Sequence, residues 1–109
     1  MQPFDVVVVP FPCSDRLAER RRPALVVSHR DLPSQSGRVW LAMITSVPHS
    51  GLGDIQITDI SEAGLPVAST LRASKLATLD VARVVRVAGR LSDAEQSLAR
   101  RALMACAGF

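Results

Sequence analysis

The sequence predicts a mainly β protein (α+β): a small, strongly bent antiparallel barrel followed by one α-helix. Short apolar or alternating segments follow one another at close spacing, each bounded by Pro, Gly or polar residues, as in strands joined by turns. The last segment instead carries a helix N-cap signal followed by apolar residues at helical spacing. With 109 residues, 48% of them hydrophobic, residues 1–109 are expected to form a single domain with one modest core.

Three strands are predicted in the first half of the chain. The β-branched residues at 5–9 predict a short buried strand, which Pro10-Phe11-Pro12 ends. The polar and charged residues at 12–22 predict a long loop. Two further apolar runs predict the second and third strands, at residues 23–29 and 39–45.

The second half combines short strands with the helix. Residues 54–58 alternate between apolar and polar side chains, which predicts a half-exposed strand. Three more short β candidates lie at residues 67–71, 75–79 and 83–88. Ser92-Asp93-Ala94-Glu95 matches a capping box and predicts a helix from about Asp93 to Cys106. The apolar residues expected to cover the core from this region are Leu91, Leu98, Leu103 and Met104.

Composition excludes several classes of protein. No apolar run reaches the ~18 residues of a membrane span, and the start of the chain lacks the basic region of a signal peptide. Cys13 and Cys106 lie far apart and no cluster has metal-ligand spacing, so we expect a cytoplasmic protein without metal or cofactor. The net charge of +3, carried by twelve arginines and one lysine, suits phosphate recognition but not heavy non-specific nucleic-acid binding.

Polar residues at strand ends are the candidate functional groups. Pro23 restricts Arg22 to an extended conformation, so a fixed cation is expected where a strand begins. The other candidates are hydroxyls and a second cation at further strand ends: Thr45, Ser46, Arg72 and Ser74. If these ends meet on one rim, the two guanidinium groups together with hydroxyls from this set can bind a phosphate and stabilise its pentavalent transition state.

Each candidate also has a purely structural interpretation. Arg22 can belong to a solvated basic turn that leads into a core strand. Thr45 and Ser46 can cap a strand end through hydrogen bonds to the following backbone. Arg72 can be an exposed barrel residue, and the residues alone leave these alternatives open.

Five short motifs occur in order along nearly the whole chain. They are Asp5-Val6-Val7, Arg22-Pro23-Ala24-Leu25-Val26, Ile44-Thr45-Ser46, Thr78-Leu79-Asp80 and Val87-Ala88-Gly89-Arg90-Leu91-Ser92. In this order and at this spacing the chain resembles the MazF/PemK family of toxin ribonucleases from type II toxin–antitoxin systems. The resemblance implies an SH3-like barrel with a C-terminal helix, assembled as a homodimer. It also implies sequence-specific, metal-independent cleavage of single-stranded RNA, often mRNA, by attack of the 2′-hydroxyl, which leaves a 2′,3′-cyclic phosphate and a 5′-hydroxyl.

The resemblance assigns roles to single residues. It implies that Arg22 transfers a proton or stabilises the phosphate, that Thr45 hydrogen-bonds the scissile phosphate, and that Arg72 is the general acid used by some members. The residues expected to contact substrate are Arg20, Arg21, Ser46, Ser74 and Lys75. Three features depart from the family pattern. Phe4 stands where a glycine is usual, and Ser74 where some members carry an aspartate base. Some members also carry a His or Glu in the first loop, and Glu19 lies near that position without a fixed register.

An antitoxin is the other partner that the resemblance implies. Its disordered acidic segment would suit the arginine-rich residues at 16–22. The main alternative function is a non-enzymatic toxin similar to CcdB, which binds DNA gyrase through its C-terminal end; Gly108-Phe109 faintly resembles that end, whereas Arg22-Pro23 does not fit it. A third alternative is a binding module without activity.

Overall fold

Six antiparallel strands form one curled sheet, a half-barrel, in the computed structural model, which describes residues 1–12 and 19–109. The strands are β1 (Asp5–Pro12), β2 (Glu19–Val26), β3 (Arg38–Thr45), β4 (Asp54–Ile57), β5 (Ser69–Asp80) and β6 (Arg86–Arg90). The helices are α1 (Leu32–Ser36), α2 (Ile60–Ala63) and α3 (Asp93–Cys106). The mainly β class with a C-terminal helix is therefore confirmed.

Sheet order explains how distant parts of the chain meet. The strands run β4-β5-β3-β2-β1-β6 across the sheet. β1 therefore pairs on one side with β2 and on the other with β6, where Asp5 lies opposite Arg90. None of the helices in the described ranges is long and apolar enough to cross a membrane.

The predicted loop at 12–22 is partly wrong. Residues 13–18 lie outside the described residues, but β2 already begins at Glu19 and ends at Val26, three residues before the predicted end. Arg22 pairs with Val9 and Arg20 with Phe11, so hydrogen bonding to β1 orders these arginines as a strand. The side chains of these arginines do not predict a strand, because the strand is stabilised by backbone hydrogen bonds to β1.

β5 joins two segments that the sequence separates. The predicted strands at 67–71 and 75–79 are parts of one strand, and the register shifts between Ala42 and Met43 of β3. Ala42 lies opposite Leu76, whereas Met43 lies opposite Arg72, so residues 73–75 form a bulge. The predicted strand at 83–88 becomes β6, which starts only after a 3-10 turn at Val81–Arg83.

The core has two apolar clusters, and β1 contributes to both. Val6 belongs to the first, together with Leu25, Ile44 and Leu71 of the sheet and Ala99 of α3. Val7 and Val9 belong to the second, which also holds Ala24 and Leu41. Successive strand residues point to opposite faces, so a strand buried on both sides needs a continuous β-branched run.

Helix α3 has the predicted bounds but only half of the predicted capping box. Ser92 Oγ accepts from the backbone N–H of Glu95 at 3.3 Å. The Glu95 carboxylate instead accepts from the N–H groups of Thr58, at 2.8 Å, and Asp59, at 3.3 Å. It therefore ties α3 to the segment that follows β4.

The predicted apolar face of α3 is only partly correct. Leu91 is buried, but Leu98 and Met104 are 45% and 68% exposed and do not cover the core. The buried helix positions beside Glu95 are the small residues Ala99 and Ala102. These small side chains let α3 lie close to the sheet, which turns the larger residues toward solvent.

Candidate functional site

A cavity of about 310 Å³ opens where β2 begins and β3 ends. Arg22 of β2 and Thr45 of β3 both line it, so the structure brings together two residues that the sequence assigns to one site. Four neighbouring lining residues lie on the same strands, and Ser46 directly follows β3: Arg20, Arg21, Pro23, Ile44 and Ser46. The facing wall consists of Leu65, Pro66, Val67 and Ser69.

Sheet register places Arg22 near Thr45. Ala24 pairs with Met43 in the β2–β3 ladder. Arg22 comes two residues before Ala24, and Thr45 comes two residues after Met43. Because the strands are antiparallel, the same register sets Arg22 opposite Thr45. The paired residues of this ladder end at Ala24 and Met43, and the cavity lies between the two strand ends beyond them.

The cavity is cationic. Its lining includes three arginines and, among the described residues, no Asp or Glu. Arg22 is half-buried, whereas Arg20 and Arg21 are exposed. Guanidinium groups stay protonated and match the paired oxygens of a phosphate, so this arrangement favours a phosphate ligand.

Thr45 combines a structural and a potential ligand contact. Its Oγ1 accepts from the backbone N–H of Val47 at 3.1 Å, which is the strand-end cap that the sequence allows. A hydroxyl that accepts one hydrogen bond keeps its own proton for donation. Thr45 can therefore donate to a ligand in the cavity while its side chain is held in place.

Arg72 does not line this cavity. Its Nε donates to Asp54 Oδ1 at 3.1 Å, and the Asp54 side chain is almost fully buried. The backbone N–H of Gly51 donates to Asp54 Oδ2 at 2.8 Å. This bond first, then the hydrogen bond and charge of Arg72, lower the pKa of Asp54 below its usual value although burial acts in the opposite direction.

Ser74 and Lys75 also lie away from the cavity. Both are exposed and belong to the β5 bulge, and neither lines the space around Arg22. Their predicted substrate contacts, like the predicted role of Arg72 as general acid, stay predictions. Across the described ranges, no three His, Cys, Asp or Glu side chains come together as metal ligands.

The facing wall of the cavity is not recognisable from the sequence. Gly64-Leu65-Pro66 is visible in the sequence only as a chain break. In the structure Gly64 ends α2 with φ 71°, and Leu65 and Pro66 then reach the cavity. A turn signal shows where a chain bends but not which strand the bend packs against.

The family model for the PemK-like, MazF-like toxins of type II toxin–antitoxin systems matches residues 2–106. The chain belongs to this family. A search of curated proteins finds no significant match.

Solved structures share the fold of this MazF/PemK-family chain at low sequence identity. An endoribonuclease in complex with its cognate antitoxin from a mycobacterial species is 15% identical, with a TM-score of 0.78 over 97% of this chain and 93% of that one. The toxin MazF-mt6 of Mycobacterium tuberculosis is 16% identical, with a TM-score of 0.75 over 91% of both chains. A MazE-MazF structure from Deinococcus radiodurans is 20% identical, with a TM-score of 0.76 over 100% of this chain and 96% of that one.

Phe4 is a distinctive feature of this MazF/PemK-family chain. It precedes Asp5, where the resemblance leads one to expect a glycine, and its backbone has φ 73°. It is the one non-glycine residue with positive φ in the described parts of the chain. An aromatic residue here adopts a backbone conformation that favours glycine.

Proposed function

We propose that this toxin is a metal-independent endoribonuclease that cleaves single-stranded RNA, with mRNA as substrate, at short specific sequences. The observation that supports the proposal is the cavity shared by Arg22 and Thr45. It offers fixed positive charge and a hydroxyl donor without a carboxylate in its described lining. Two solved structures with this fold are themselves named endoribonucleases.

The proposed reaction needs the chain, its RNA and solvent water. The bond between the 2′-oxygen and phosphorus forms as the bond from phosphorus to the 5′-oxygen breaks. The 2′-hydroxyl gives its proton to water and the 5′-oxygen takes one from water, so the protons balance. Arg22 stabilises the negative charge that grows on the phosphate oxygens, and Thr45 donates a hydrogen bond to one of them.

The test is cleavage of a long single-stranded RNA by the purified protein in the presence of EDTA, followed by analysis of the new ends. We expect 2′,3′-cyclic phosphate and 5′-hydroxyl ends. Arg22→Ala should slow cleavage by about 100-fold or more, because a fixed charge at the reacting phosphate is lost. The matched control is Arg101→Ala, which removes an exposed arginine of α3 that does not line the cavity.

Two outcomes contradict the proposal. The first is cleavage that requires added metal, and the second is an Arg22→Ala variant as active as Arg101→Ala. Capture of DNA gyrase by a protein that cleaves no RNA would favour the CcdB-like alternative.

We also propose two protein partners. A disordered acidic antitoxin segment would lie over Arg20, Arg21 and Arg22, whose charges surround the cavity mouth. The fold neighbours include complexes with cognate antitoxins, which supports this partner.

The second partner is another copy of the chain. Trp40 and Leu76 line one surface pocket and are 53% and 59% exposed, so they offer an apolar surface for a homodimer to bury. Light scattering should show a dimer for the wild type and a smaller dimer fraction for Trp40→Lys. A wild-type monomer at all concentrations would contradict the dimer.

A further inference from the structure

A second cavity, of about 340 Å³, lies beyond the opposite end of β2 from the Arg22–Thr45 cavity. We name it the Phe4 cleft; its lining includes Phe4, His29, Arg30, Arg90, Gln96 and Arg100. The two cavities share no described lining residue. Arg22 lies in the first half of β2, whereas His29 and Arg30 follow the end of that strand at Val26.

The Phe4 cleft carries uncompensated positive charge. Of its three arginines, only Arg90 has an acidic partner among the described residues: its Nη1 donates to Asp5 Oδ1 at 3.0 Å. Arg30 makes no ion pair with a described residue, and the guanidinium of Arg100 lies over an aromatic ring. Two guanidinium groups therefore remain available to an anion.

An aromatic ring forms part of the same cleft. The guanidinium carbon of Arg100 lies 5.1 Å from the centroid of the Phe4 ring. Phe4 is also packed against the first core cluster, which fixes the ring from behind. The chain thus keeps an aromatic residue at a strained backbone position, and strained residues concentrate at ligand sites.

We propose that the Phe4 cleft binds one nucleotide of a single-stranded RNA, outside the linkage that is cleaved. Arg30 and Arg100 bind the phosphate, and the base stacks on the outer face of the Arg100 guanidinium, which the Phe4 ring supports from below. Gln96 Nε2 donates to Leu91 O at 2.9 Å, which leaves Oε1 to accept from a base edge. An acidic peptide would use the charges but would not need a stacking surface, so the combination favours RNA.

This inference rests on the proposed ribonuclease function, since it adds a second RNA contact outside the reacting phosphate. The test is therefore a binding measurement that needs no cleavage. The probe is a fluorescent single-stranded oligonucleotide with 2′-O-methyl groups throughout, which lacks the attacking hydroxyl, and the readout is its anisotropy. Circular dichroism checks that each variant is folded.

Three cleft variants are compared with Arg101→Ala, the neighbouring exposed arginine that does not line the cleft. Arg30→Ala and Arg100→Ala should each weaken oligonucleotide binding about tenfold, because each removes a charged hydrogen bond to phosphate. Phe4→Leu keeps an apolar side chain but loses the ring, and should weaken binding severalfold. Arg101→Ala should change the affinity by less than about twofold.

The proposal is overturned if the cleft variants bind the oligonucleotide as Arg101→Ala does. It is also overturned if they lose affinity for a poly-glutamate peptide while oligonucleotide binding is unchanged, because the cleft would then be a peptide site. Loss of binding by the cleft variants in a protein that cleaves no RNA leaves the cleft assignment standing and refutes the nuclease. If cleavage depends on Arg22 but the cleft variants bind the oligonucleotide normally, the nuclease proposal stands and the cleft assignment is refuted.

Discussion

Arg22 and Arg72 carry the same guanidinium group in opposite electrostatic surroundings. Arg22 lines a cavity whose described residues include no carboxylate. Arg72 is bound to the buried carboxylate of Asp54, which balances its charge. A compensated arginine attracts an incoming phosphate less strongly, which supports the proposal that Arg22 is the phosphate anchor, whereas the ion pair of Arg72 is a structural contact.

Asp54→Asn should destabilise the protein by roughly 1–2 kcal/mol at neutral pH. The change removes the charged partner of Arg72 and weakens a buried acceptor. Folding lowers the pKa of Asp54, so its ionised form stabilises the fold above about pH 3.8, the usual value for this group. The difference between wild type and variant should therefore shrink as pH falls below that value, measured by thermal unfolding across a pH series.

A matched control for this prediction is Asp80→Asn. Asp80 pairs with Arg38 at 3.7 Å, but both side chains are largely exposed, so its loss should cost little. Equal destabilisation by Asp54→Asn and Asp80→Asn would contradict the prediction. So would a wild-type advantage that persists unchanged into acid.

Single residues also show what the sequence can predict of the site. Arg22 and Thr45 are each recognisable locally, one before a proline and one at the end of an apolar run, and both line one cavity. Arg72 is equally recognisable, but its partner Asp54 is on β4. That pairing depends on strand register, which no local pattern of side chains specifies.

The attachment of α3 to the sheet is concentrated at one buried carboxylate. Glu95 Oε2 accepts from two backbone N–H groups beyond β4, and its Oε1 is buried without a hydrogen bond in the described structure. These bonds span 37 and 36 residues of chain. Glu95 therefore holds α3 against the segment after β4, whereas Ser92 only caps the N-terminus of the helix.

Glu95→Ala should lower the free energy of unfolding by roughly 2–3 kcal/mol, because it leaves two backbone donors without an acceptor. Ser92→Ala removes one cap and should cost about 1 kcal/mol. Glu95→Gln retains an acceptor oxygen and should fall between wild type and Glu95→Ala. Urea unfolding followed by circular dichroism measures all three, and a Glu95→Ala variant no less stable than Ser92→Ala would contradict the packing role.

Elements differ in how far their sequence predicts them. α3 has its predicted bounds because a cap and helical spacing act within a few residues. The sequence predicts two strands in place of β5 because residues 72–75 are largely polar, whereas pairing with β3 continues the strand through its bulge. The small residues Ala99 and Ala102 are the positions that α3 buries, a choice made by the sheet beneath them.

The whole molecule carries a modest net charge of +3 but concentrates its arginines around two separate cavities. A charge of this size is too small for indiscriminate binding to nucleic acid. Local concentration nevertheless gives each opening a positive potential for anionic partners. Distribution of charge, rather than its total, is therefore the relevant property for function.

Binding of an acidic antitoxin segment should weaken as ionic strength rises, because exposed charges are screened over about 8–10 Å. Removing both Arg20 and Arg21, which are exposed at the cavity mouth, should reduce the affinity and flatten its salt dependence. Calorimetric titration at several salt concentrations measures both effects, with Arg101→Ala as the control. An affinity independent of salt would contradict this electrostatic contribution.

The pairing of β1 with β6 has a consequence for how the toxin first emerges in the cell. Asp5 and Arg90 are 85 residues apart in the chain, so β1 lacks this neighbour until β6 has been synthesised. A nascent chain still bound to the ribosome can form the β2–β3 hairpin early, but it cannot complete the half-barrel until β6 has left the exit tunnel. A chain whose synthesis stops before β6 therefore lacks one edge strand, and β1 is left with an unpaired edge.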